Sequence, residues 1–258
     1  SSGSRVQIYT WEDPKKSSSA ENDPEVLLSP PKIHQENGWT YKIKGGVSNF
    51  GTRPDKVWPE HYQALMTFAE SIIPELHWEN TPVFVLLTAG MRLLPAKQLQ
   101  AIRDETCNSI RANTRFHIGD CSEFVQTIDG ETEGLYGWVG LNYLMGQFNG
   151  YTDASKEHES IGFMDMGGAL TQIAFVPLYP EDVSAHDEDL LTVSLRNVNG
   201  ETQVWRVFVE TWLGFGANEA RRRYLNQLVN NNLGAPTKLG STVSAPCMTK
   251  GTEFSFFH

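Results

Sequence analysis

The chain has 258 residues, of which 40% are hydrophobic and 20% are charged, and its formal net charge is −10. This composition is typical of a globular chain that buries a core, either as one large domain or as two ordinary ones. The acidic balance argues against a protein that binds the phosphate backbone of nucleic acids, and no apolar run reaches the ~18 residues of a membrane span.

The first half of the chain alternates strand and helix signals. "RVQIYTW" predicts a strand, and residues 12–37, rich in Ser, Pro, Lys and Glu, predict a long exposed loop. "PEHYQALMTFAESIIPELHW" predicts a helix, because its apolar side chains recur with helical spacing. The apolar run "TPVFVLLTAG" then predicts a strand buried on both faces.

The second half continues this alternation and adds hairpins. A polar helix is expected over residues 95–115, a strand near "EFVQTI" and a helix from "GETEGLYGWVGLNYLMGQF". "GFMDMGGALTQIAF" predicts two strands joined by a turn, and "LLTVSLRNV" with "TQVWRVFVET" predicts a hairpin about Asn199 and Gly200. A helix over residues 217–229 follows. These elements together predict an α/β fold with mixed sheets flanked by helices.

A weak internal similarity suggests that the two halves are related. "GSRVQIY", which begins at Gly3, aligns with "GALTQIA", which begins at Gly168, and the alignment matches Gly, Gln and Ile. Each segment reads as a turn of small residues that leads into a strand.

The turn in "GFMDMGGALTQIAF" combines an acid with two glycines. Consecutive glycines such as Gly167 and Gly168 let backbone N–H groups approach an anion closely, which is how phosphate is bound without much positive charge. Asp165 repels phosphate unless a divalent cation lies between them. The alternative is a tight hairpin in which the Asp caps its own turn.

The opening "SSGSR" is a second stretch of hydroxyl and glycine residues that leads into a strand. Ser1, Ser2 and Ser4 offer hydroxyl donors, Gly3 a close backbone approach, and Arg5 a positive charge for a terminal phosphate. A loose chain end is the alternative interpretation.

Acids and glycines mark the start of the helix in "GETEGLYGWVGLNYL". Glu131 and Glu133 are favoured there by the helix dipole, and either one is also a candidate general base for activating water. Gly134, Gly137 and Gly140 weaken the helix, so we expect them to allow close packing against another element.

"TAGMRLL" ends the apolar strand in a turn. Thr88 and Ala89 therefore lie at the carboxyl end of a sheet, where ligands of α/β proteins tend to bind, although a plain strand-to-helix turn has the same pattern. We expect Arg92 to pair with an acid rather than with a ligand.

The remaining reactive residues carry weaker signals. The three cysteines fit either a Cys107–Cys121 disulfide or three free thiols, and the seven histidines lack the spacing of a zinc site. Residues 221–223, "RRR", are expected to form a solvated helix face.

Read together, "SSGSRVQIY", "TAGMRLL", "GETEGLYGWVGLNYL" and "GFMDMGGALTQIAF" resemble the first four conserved regions of the GDA1/CD39 nucleoside phosphatase (NTPDase/apyrase) family. The amino-acid sequence of these four segments is most similar to that of the fungal Golgi apyrases. The resemblance implies an actin-like (RNase H-type) fold of two domains with a nucleotide between them. It implies a first domain over residues 1–128 that lacks its first strand, and an incomplete second domain over residues 129–258. The chain is thus expected to be a fragment truncated at both ends.

The resemblance also assigns roles to residues. It implies that Glu133 is the general base, that the Ala89 carbonyl and the Gln172 amide hold the attacking water, and that Asp165 holds Mg²⁺ or Ca²⁺ through water. The residues implied in phosphate binding, one loop from each domain, are Ser1, Ser2, Gly3, Ser4, Arg5, Gly167, Gly168 and Ala169.

The implied activity is hydrolysis of nucleoside tri- and diphosphates toward the monophosphate by metal-assisted, in-line attack of water. The chain departs from the family pattern in two places: it begins just after the usual Asp-Ala-Gly, and Leu170 replaces the usual Ser. The second departure implies an alternative, a nucleotide-binding relative with weak catalysis. Another actin-like phosphotransferase, such as a sugar kinase or an exopolyphosphatase, is disfavoured by "ETEGLYGW".

The resemblance implies a setting as well. Relatives of this kind act in the lumen of the Golgi or another secretory compartment, where they serve glycosylation by clearing nucleoside diphosphates. A membrane anchor is expected only in segments outside this fragment. The expected partners are nucleoside di- and triphosphates and not nucleic acid.

Overall fold

The apolar runs of the sequence form strands that amphipathic helices cover. The computed structural model describes residues 3–19, 23–152, 159–232 and 244–251. Its strands are β1 (Gly3–Gln7), β2 (Thr10–Trp11), β3 (Ile33–His34), β4 (Thr40–Lys44), β5 (Val85–Leu87), β6 (Val125–Thr127), β7 (Phe163–Met166), β8 (Leu170–Phe175), β9 (Leu190–Arg196) and β10 (Thr202–Leu213). Its α-helices are α1 (Pro14–Ser17), α2 (Pro24–Leu27), α3 (Gln63–Ile72), α4 (Ala89–Arg92), α5 (Ala96–Asn113), α6 (Cys121–Phe124), α7 (Gly130–Leu144), α8 (Pro180–Ala185) and α9 (Ala217–Asn232).

Most of the predicted elements are confirmed. The periodic segments form α3, α5 and α7, and the predicted closing helix is α9. The hairpin about Gly200 joins β9 to β10, with Arg196 opposite Thr202 and a positive φ of 89° at the glycine. The mixed α/β architecture is therefore as expected. Within the described residues, no helix combines the length and apolar character that crossing a membrane requires.

Within the described residues, the first half has three two-stranded sheets, of which the outlying one pairs β2 with β3, and one core. β1 pairs antiparallel with β4, and β5 pairs parallel with β6. Helices α3 and α5 cover them, and the apolar stripe of each helix enters a shared core whose fully buried members include Val57, Ile102, Ile110 and Val125. This parallel pair sets the position of the site, because its two carboxyl ends lie side by side.

The strand predicted from "TPVFVLLTAG" is shorter and more exposed than expected. Only Val85–Leu87 forms β5, and the side chains of Phe84 and Leu86 are 61% and 47% exposed. Burial on both faces was therefore the wrong expectation. The reason is that Phe84 and Leu86, two positions apart, share one face of the strand and line an open cavity of about 940 Å³.

The second half is a four-stranded sheet covered by α7. The strand order is β7-β8-β10-β9, and neighbouring strands run antiparallel. Trp138 from α7 and Trp205 from β10 are buried against each other with Phe148, and their ring centroids lie 5.3–5.8 Å apart. This aromatic cluster fixes α7 on the sheet.

The described part of residues 12–37 is mostly exposed, as its composition predicts, but it is not one continuous loop. It contains α1, α2 and β3, and residues 24–33, which we call the crossing segment, lie against the second half. The hydroxyl of Tyr143 accepts from the Ile33 amide (2.6 Å) and donates to the Pro31 carbonyl (3.0 Å). The carbonyls of Leu27, Leu28 and Ser29 accept from Asn199 (2.9 Å), Tyr151 (3.0 Å) and Val198 (2.9 Å). The crossing segment thus docks through its backbone, while most of its side chains stay exposed to solvent.

The two open alternatives for the cysteines are resolved in favour of one disulfide. Cys107 of α5 is bonded to Cys121 of α6, with 5.7 Å between their Cα atoms, and Cys247 is free and exposed. The bond ties α5 to the short helix that leads into β6. It therefore supports the strand that precedes α7.

Removal of the disulfide should lower stability measurably. The bond closes a loop with a sequence separation of 14 residues. Chain entropy gives a loop of this size about 3 kcal/mol of stabilisation. We expect the Cys107→Ala/Cys121→Ala variant to lose about that much free energy of unfolding in urea titrations, whereas Cys247→Ala should match the wild type. Equal stability of the wild type with and without reductant would contradict the assignment.

Candidate active site

The start of α7 carries three acidic residues, Asp129, Glu131 and Glu133. Asp129 caps the helix by accepting a hydrogen bond from the Thr132 amide (2.7 Å), and this bond lowers the pKa of the Asp129 carboxyl. Glu131 and Glu133 follow in the first turn, where the helix dipole favours negative charge. Glu131 is exposed and Glu133 is half-buried, so only Glu133 is turned toward the protein.

A glycine face brings α7 close to the sheet. A Cβ on Gly130 would lie 2.4 Å from the Thr211 side chain, and one on Gly134 would lie 2.9 Å from Val209. A Cβ on Gly137 would likewise overlap an aromatic ring of β7. These three positions lie on one face of the helix, so the absence of side chains lets the helix backbone rest on β7, β8 and β10.

Gly140 does not belong to this face. No heavy atom outside its own helix neighbourhood lies within 4 Å of the position that its Cβ would take. The expectation of close packing is thus confirmed for Gly134 and Gly137 and wrong for Gly140. The third close contact of α7 is instead made by Gly130, at the first position of the helix, against Thr211 of β10.

Glu133 forms an ion pair with Arg92 across the two halves. Arg92 Nη2 lies 2.5 Å from Glu133 Oε2, and the two side chains are 22% and 25% exposed. They meet because α4 and α7 begin at the adjacent carboxyl ends of the parallel strands β5 and β6. The prediction that Arg92 pairs with an acid is confirmed.

The surroundings of Glu133 place opposing effects on its charge. Burial raises the pKa of the Glu133 carboxyl, the Arg92 guanidinium lowers it, and the nearby negative charge of Asp165 raises it again. The net shift is upward. A carboxyl with a raised pKa that still has a cationic partner is suited to accept a proton near neutral pH.

Asp165 and Gln172 lie opposite each other on β7 and β8. Cross-strand partners share a sheet face, so both side chains are on the face that α7 covers. Gln172 is 1% exposed, and its Nε2 donates to the Gly130 carbonyl at 3.0 Å. Leu170, which is 4% exposed, lies on the same face two residues earlier. The structure therefore brings Glu133, Asp165 and Gln172 together.

The turn of Gly167, Gly168 and Ala169 is held by the segment that leads into α9. The Gly167 and Gly168 carbonyls accept from the amides of Ala217 (2.8 Å) and Asn218 (3.0 Å). Because C=O and N–H point in opposite directions across a trans peptide, these bonds turn the amides of Gly168 and Ala169 away from α9. The turn thus presents N–H groups on its open side, as a phosphate loop requires.

Gly216 makes this arrangement sterically possible. A Cβ at that position would lie 2.5 Å from the backbone of Gly168, Ala169 and Leu170. Composition and spacing do not single out Gly216, because its role depends on a strand and a turn that are distant in sequence. Thr211, which touches Gly130, was missed for the same reason.

The first predicted loop is a strand in the structure. Ser1 and Ser2 lie outside the described residues, and Gly3, Ser4 and Arg5 begin β1. These three residues line the 940 Å³ cavity together with Thr88, Gly90 and Met91, the residues around Ala89. Ala89 itself begins α4 and is buried. The Arg92–Glu133 ion pair joins the candidate residues of the first half, around Ala89, to those of the second half, around Asp165.

The site offers few ligands for a metal ion. Among the described residues, no three Asp, Glu, His or Cys side chains are arranged to hold one. Asp165 is an exposed carboxylate, and the neighbouring Glu133 is already paired with Arg92. Such a site does not fit a fully protein-ligated ion. It does fit Mg²⁺ or Ca²⁺ that keeps water ligands and takes others from a bound phosphate.

Comparison with known proteins gives one consistent set of relatives. The model of the GDA1/CD39 (nucleoside phosphatase) family matches residues 1–256. The Golgi apyrase of Saccharomyces cerevisiae is 47% identical, over 99% of this chain and 42% of that protein. The Golgi apyrase of Schizosaccharomyces pombe is 39% identical, over 98% of this chain and 43% of that protein. The human ectonucleoside triphosphate diphosphohydrolase 4 is 34% identical, over 93% and 42%. The chain thus spans about two fifths of the length of these relatives.

The glycine face of α7 predicts opposite effects for two similar substitutions. Gly134→Ala should lower the free energy of unfolding by about 1–2 kcal/mol, because its Cβ would meet the rigid Val209 at 2.9 Å. Gly140→Ala, at an open position of the same helix, should raise it by about 0.5–1 kcal/mol. Urea titration of both variants checks the pair. Stabilisation by Gly134→Ala would mean that α7 does not rest on the sheet as described.

Proposed function

The chain belongs to the GDA1/CD39 (nucleoside phosphatase) family, and we propose that it carries the water-activating half of a nucleoside tri- and diphosphate hydrolase. The observation that carries this proposal is the position of Glu133, a half-buried carboxyl beside Asp165 and Gln172 with a raised pKa. The activity named for the relatives, apyrase or triphosphate diphosphohydrolase, agrees with it.

In the proposed reaction, Glu133 accepts a proton from a water molecule that attacks the terminal phosphorus in line with the leaving oxygen. Arg92 limits how far burial raises the pKa of Glu133 and so favours the carboxylate form that a base needs. The bond from Gln172 to Gly130 leaves the amide oxygen of Gln172 to orient the water. The Ala89 carbonyl at the start of α4 supplies a second acceptor for the water.

Two backbone stretches would hold the phosphates. The proposed loop of the second domain is Gly167, Gly168 and Ala169. Its free donors in the described part of the chain are the amides of Gly168 and Ala169, because the Gly167 amide donates to the Leu170 carbonyl (3.0 Å) within the turn. The proposed phosphate-binding stretch of the first domain is residues 1–5, in which the exposed Arg5, on β1, supplies positive charge. A chain with a net charge of −10 needs such local groups to hold an anion.

Asp165 is the residue proposed to hold the divalent cation, through water. When bound, Mg²⁺ or Ca²⁺ would neutralise charge on the phosphate oxygens. Asp165 lies close enough to Glu133 for its charge to raise the pKa of the Glu133 carboxyl, and two such close carboxyls form an environment that attracts a cation.

The proposed architecture is an actin-like pair of domains, with the boundary between residues 128 and 129. We propose that the first domain lacks one strand, whose place is the cavity between β1 and β5. Within the described residues β1 pairs only with β4 and β5 only with β6, and both strands line that cavity. An additional strand there would join the two small sheets into one.

The proposed location is the lumen of the Golgi or another secretory compartment, where the enzyme serves glycosylation. The relatives named Golgi apyrases support it, and so does the disulfide, because such bonds persist in oxidising compartments. A membrane anchor is proposed for parts of the full-length protein outside this chain.

The second candidate function is nucleotide binding with weak catalysis. The observation that favours it is Leu170, a buried isobutyl group on the sheet face that carries Gln172. A Ser at this position would offer a hydroxyl to the attacking water, and loss of one preorganised polar contact costs about 10²- to 10³-fold in rate.

Replacement of Glu133 tests the leading proposal. In the full-length protein with Mg²⁺ or Ca²⁺, Glu133→Gln should reduce phosphate release from ATP, ADP, GDP and UDP by about 10²- to 10⁴-fold, because the general base is lost. Glu131→Gln, on the same helical turn but exposed, is the matched control and should keep kcat. Equal activity of the two variants would remove Glu133 from the base role.

Replacement of Leu170 distinguishes the two candidate functions. Leu170→Ser should raise kcat by up to about 10²-fold, because it supplies a hydroxyl for the water. Leu170→Ala removes the same bulk without a hydroxyl and controls for relief of crowding. If the wild type hydrolyses nucleotides and Leu170→Ser is no faster than Leu170→Ala, position 170 is not critical. If only Leu170→Ser turns over, the protein is a binding relative.

A further inference from the structure

A buried histidine contacts the first predicted phosphate loop. His61 Nε2 lies 2.7 Å from Ser4 Oγ, although the two residues are 57 positions apart in sequence. His61 is 3% exposed, and no pattern in the sequence connects it with Ser4. The contact joins the start of β1 to the turn over Trp58–Tyr62, which precedes α3.

The ring of His61 is buried among other aromatic side chains. The residue lies in a π-helical turn over Trp58–Tyr62, a wider turn than an α-helix that is often found at functional sites. The rings of Phe50 and Tyr62 contact the imidazole edge-on, with centroid distances of 5.6 and 5.3 Å. Burial also lowers the pKa of His61, which favours the neutral ring.

The Ser4 hydroxyl points inward, and this orientation sets that of its neighbour. Successive side chains of a strand point to opposite faces, so an inward Ser4 places Arg5 on the exposed face. Gly3 is constrained from another side, because a Cβ there would lie 2.3 Å from the Ile43 carbonyl oxygen of β4. The start of β1, which would otherwise fray as a strand end, is thereby held at two successive residues.

We propose that His61 is a positioning residue for substrate, which acts through the Ser4 hydroxyl to hold the backbone of β1 and the Arg5 side chain toward the terminal phosphate. This inference rests on the proposed function. In it, the backbone of Ser4 faces the phosphate, and the hydroxyl of Ser4 anchors the start of β1 to His61. His61 itself does not touch substrate.

The test is a comparison of His61 variants in the full-length protein. His61→Phe keeps the ring volume but removes the hydrogen bond, and it should raise KM for GDP about 3- to 10-fold, the range that loss of one net hydrogen bond gives. The value of kcat should stay within about twofold, because Glu133 and its partners are untouched. His61→Gln offers an amide for the same bond and should restore KM to near the wild-type value.

Two further variants separate positioning from general loosening. Phe50→Leu disturbs the packing on the His61 ring without touching Ser4, so it should lower Tm and leave KM unchanged. In a Ser4→Ala background, His61→Phe and His61→Gln should have equal KM, because their common target is gone. Equal increases in KM for His61→Phe and Phe50→Leu would overturn the inference.

The outcomes also separate this inference from the proposed function. If the wild type hydrolyses GDP and His61→Phe has an unchanged KM, His61 has no positioning role and the hydrolase assignment stands. If the wild type releases no phosphate, the catalytic proposal fails, and the same variants are compared by the Kd of GDP from calorimetry. Equal Kd values for the wild type and His61→Phe would then overturn the inference.

Discussion

The close contact between α7 and its sheet determines most of the site. Gly130, Gly134 and Gly137 allow the helix backbone to lie directly on β7, β8 and β10, where any side chain would hold it away. That distance is what lets Gln172 reach the Gly130 carbonyl and brings Glu133 next to Asp165. Three glycines that weaken the helix by about 1 kcal/mol each are thus retained for a geometric reason. The aromatic cluster around Trp138 offsets this loss of helix stability by packing α7 onto the sheet.

A second constraint is electrostatic and joins the two halves. Glu133 at the start of α7 and Asp165 on β7 lie close together, and Arg92 from the first half pairs with Glu133. The parallel pair β5–β6 makes this possible, because helices that begin at adjacent strand ends expose their first turns to each other. The excess negative charge at Asp165 and the N–H groups of the glycine turn then define complementary ends of one site, suited to a cation and to an anion.

The sequence predicts the parts of this structure that depend on local periodicity and fails where distant segments meet. The helical spacing of α3 and α5, the Asn-Gly hairpin and the acids at the start of α7 are all local signals. Burial of Phe84 and Leu86 was predicted wrongly because periodicity shows that a run is apolar, and not what covers it. The contacts of His61 with Ser4 and of Gly216 with the glycine turn join residues about 50 positions apart, so no spacing rule reports them. The site residues themselves came from resemblance rather than from physical pattern, and their chemical roles stay predictions.

The crossing segment affects the order in which the chain can fold. The hydroxyl of Tyr143 bonds to residues 110 and 112 positions away, and such contacts form late because a long loop must close first. During synthesis, residues 24–33 leave the ribosome well before α7 and the β9–β10 turn are made. Their hydrogen-bond partners are therefore absent when they emerge. The amino-terminal half therefore cannot reach its native state as an independent unit. A cut of the chain between the halves would expose the backbone groups of this segment, and the pieces would have to find each other again to satisfy them.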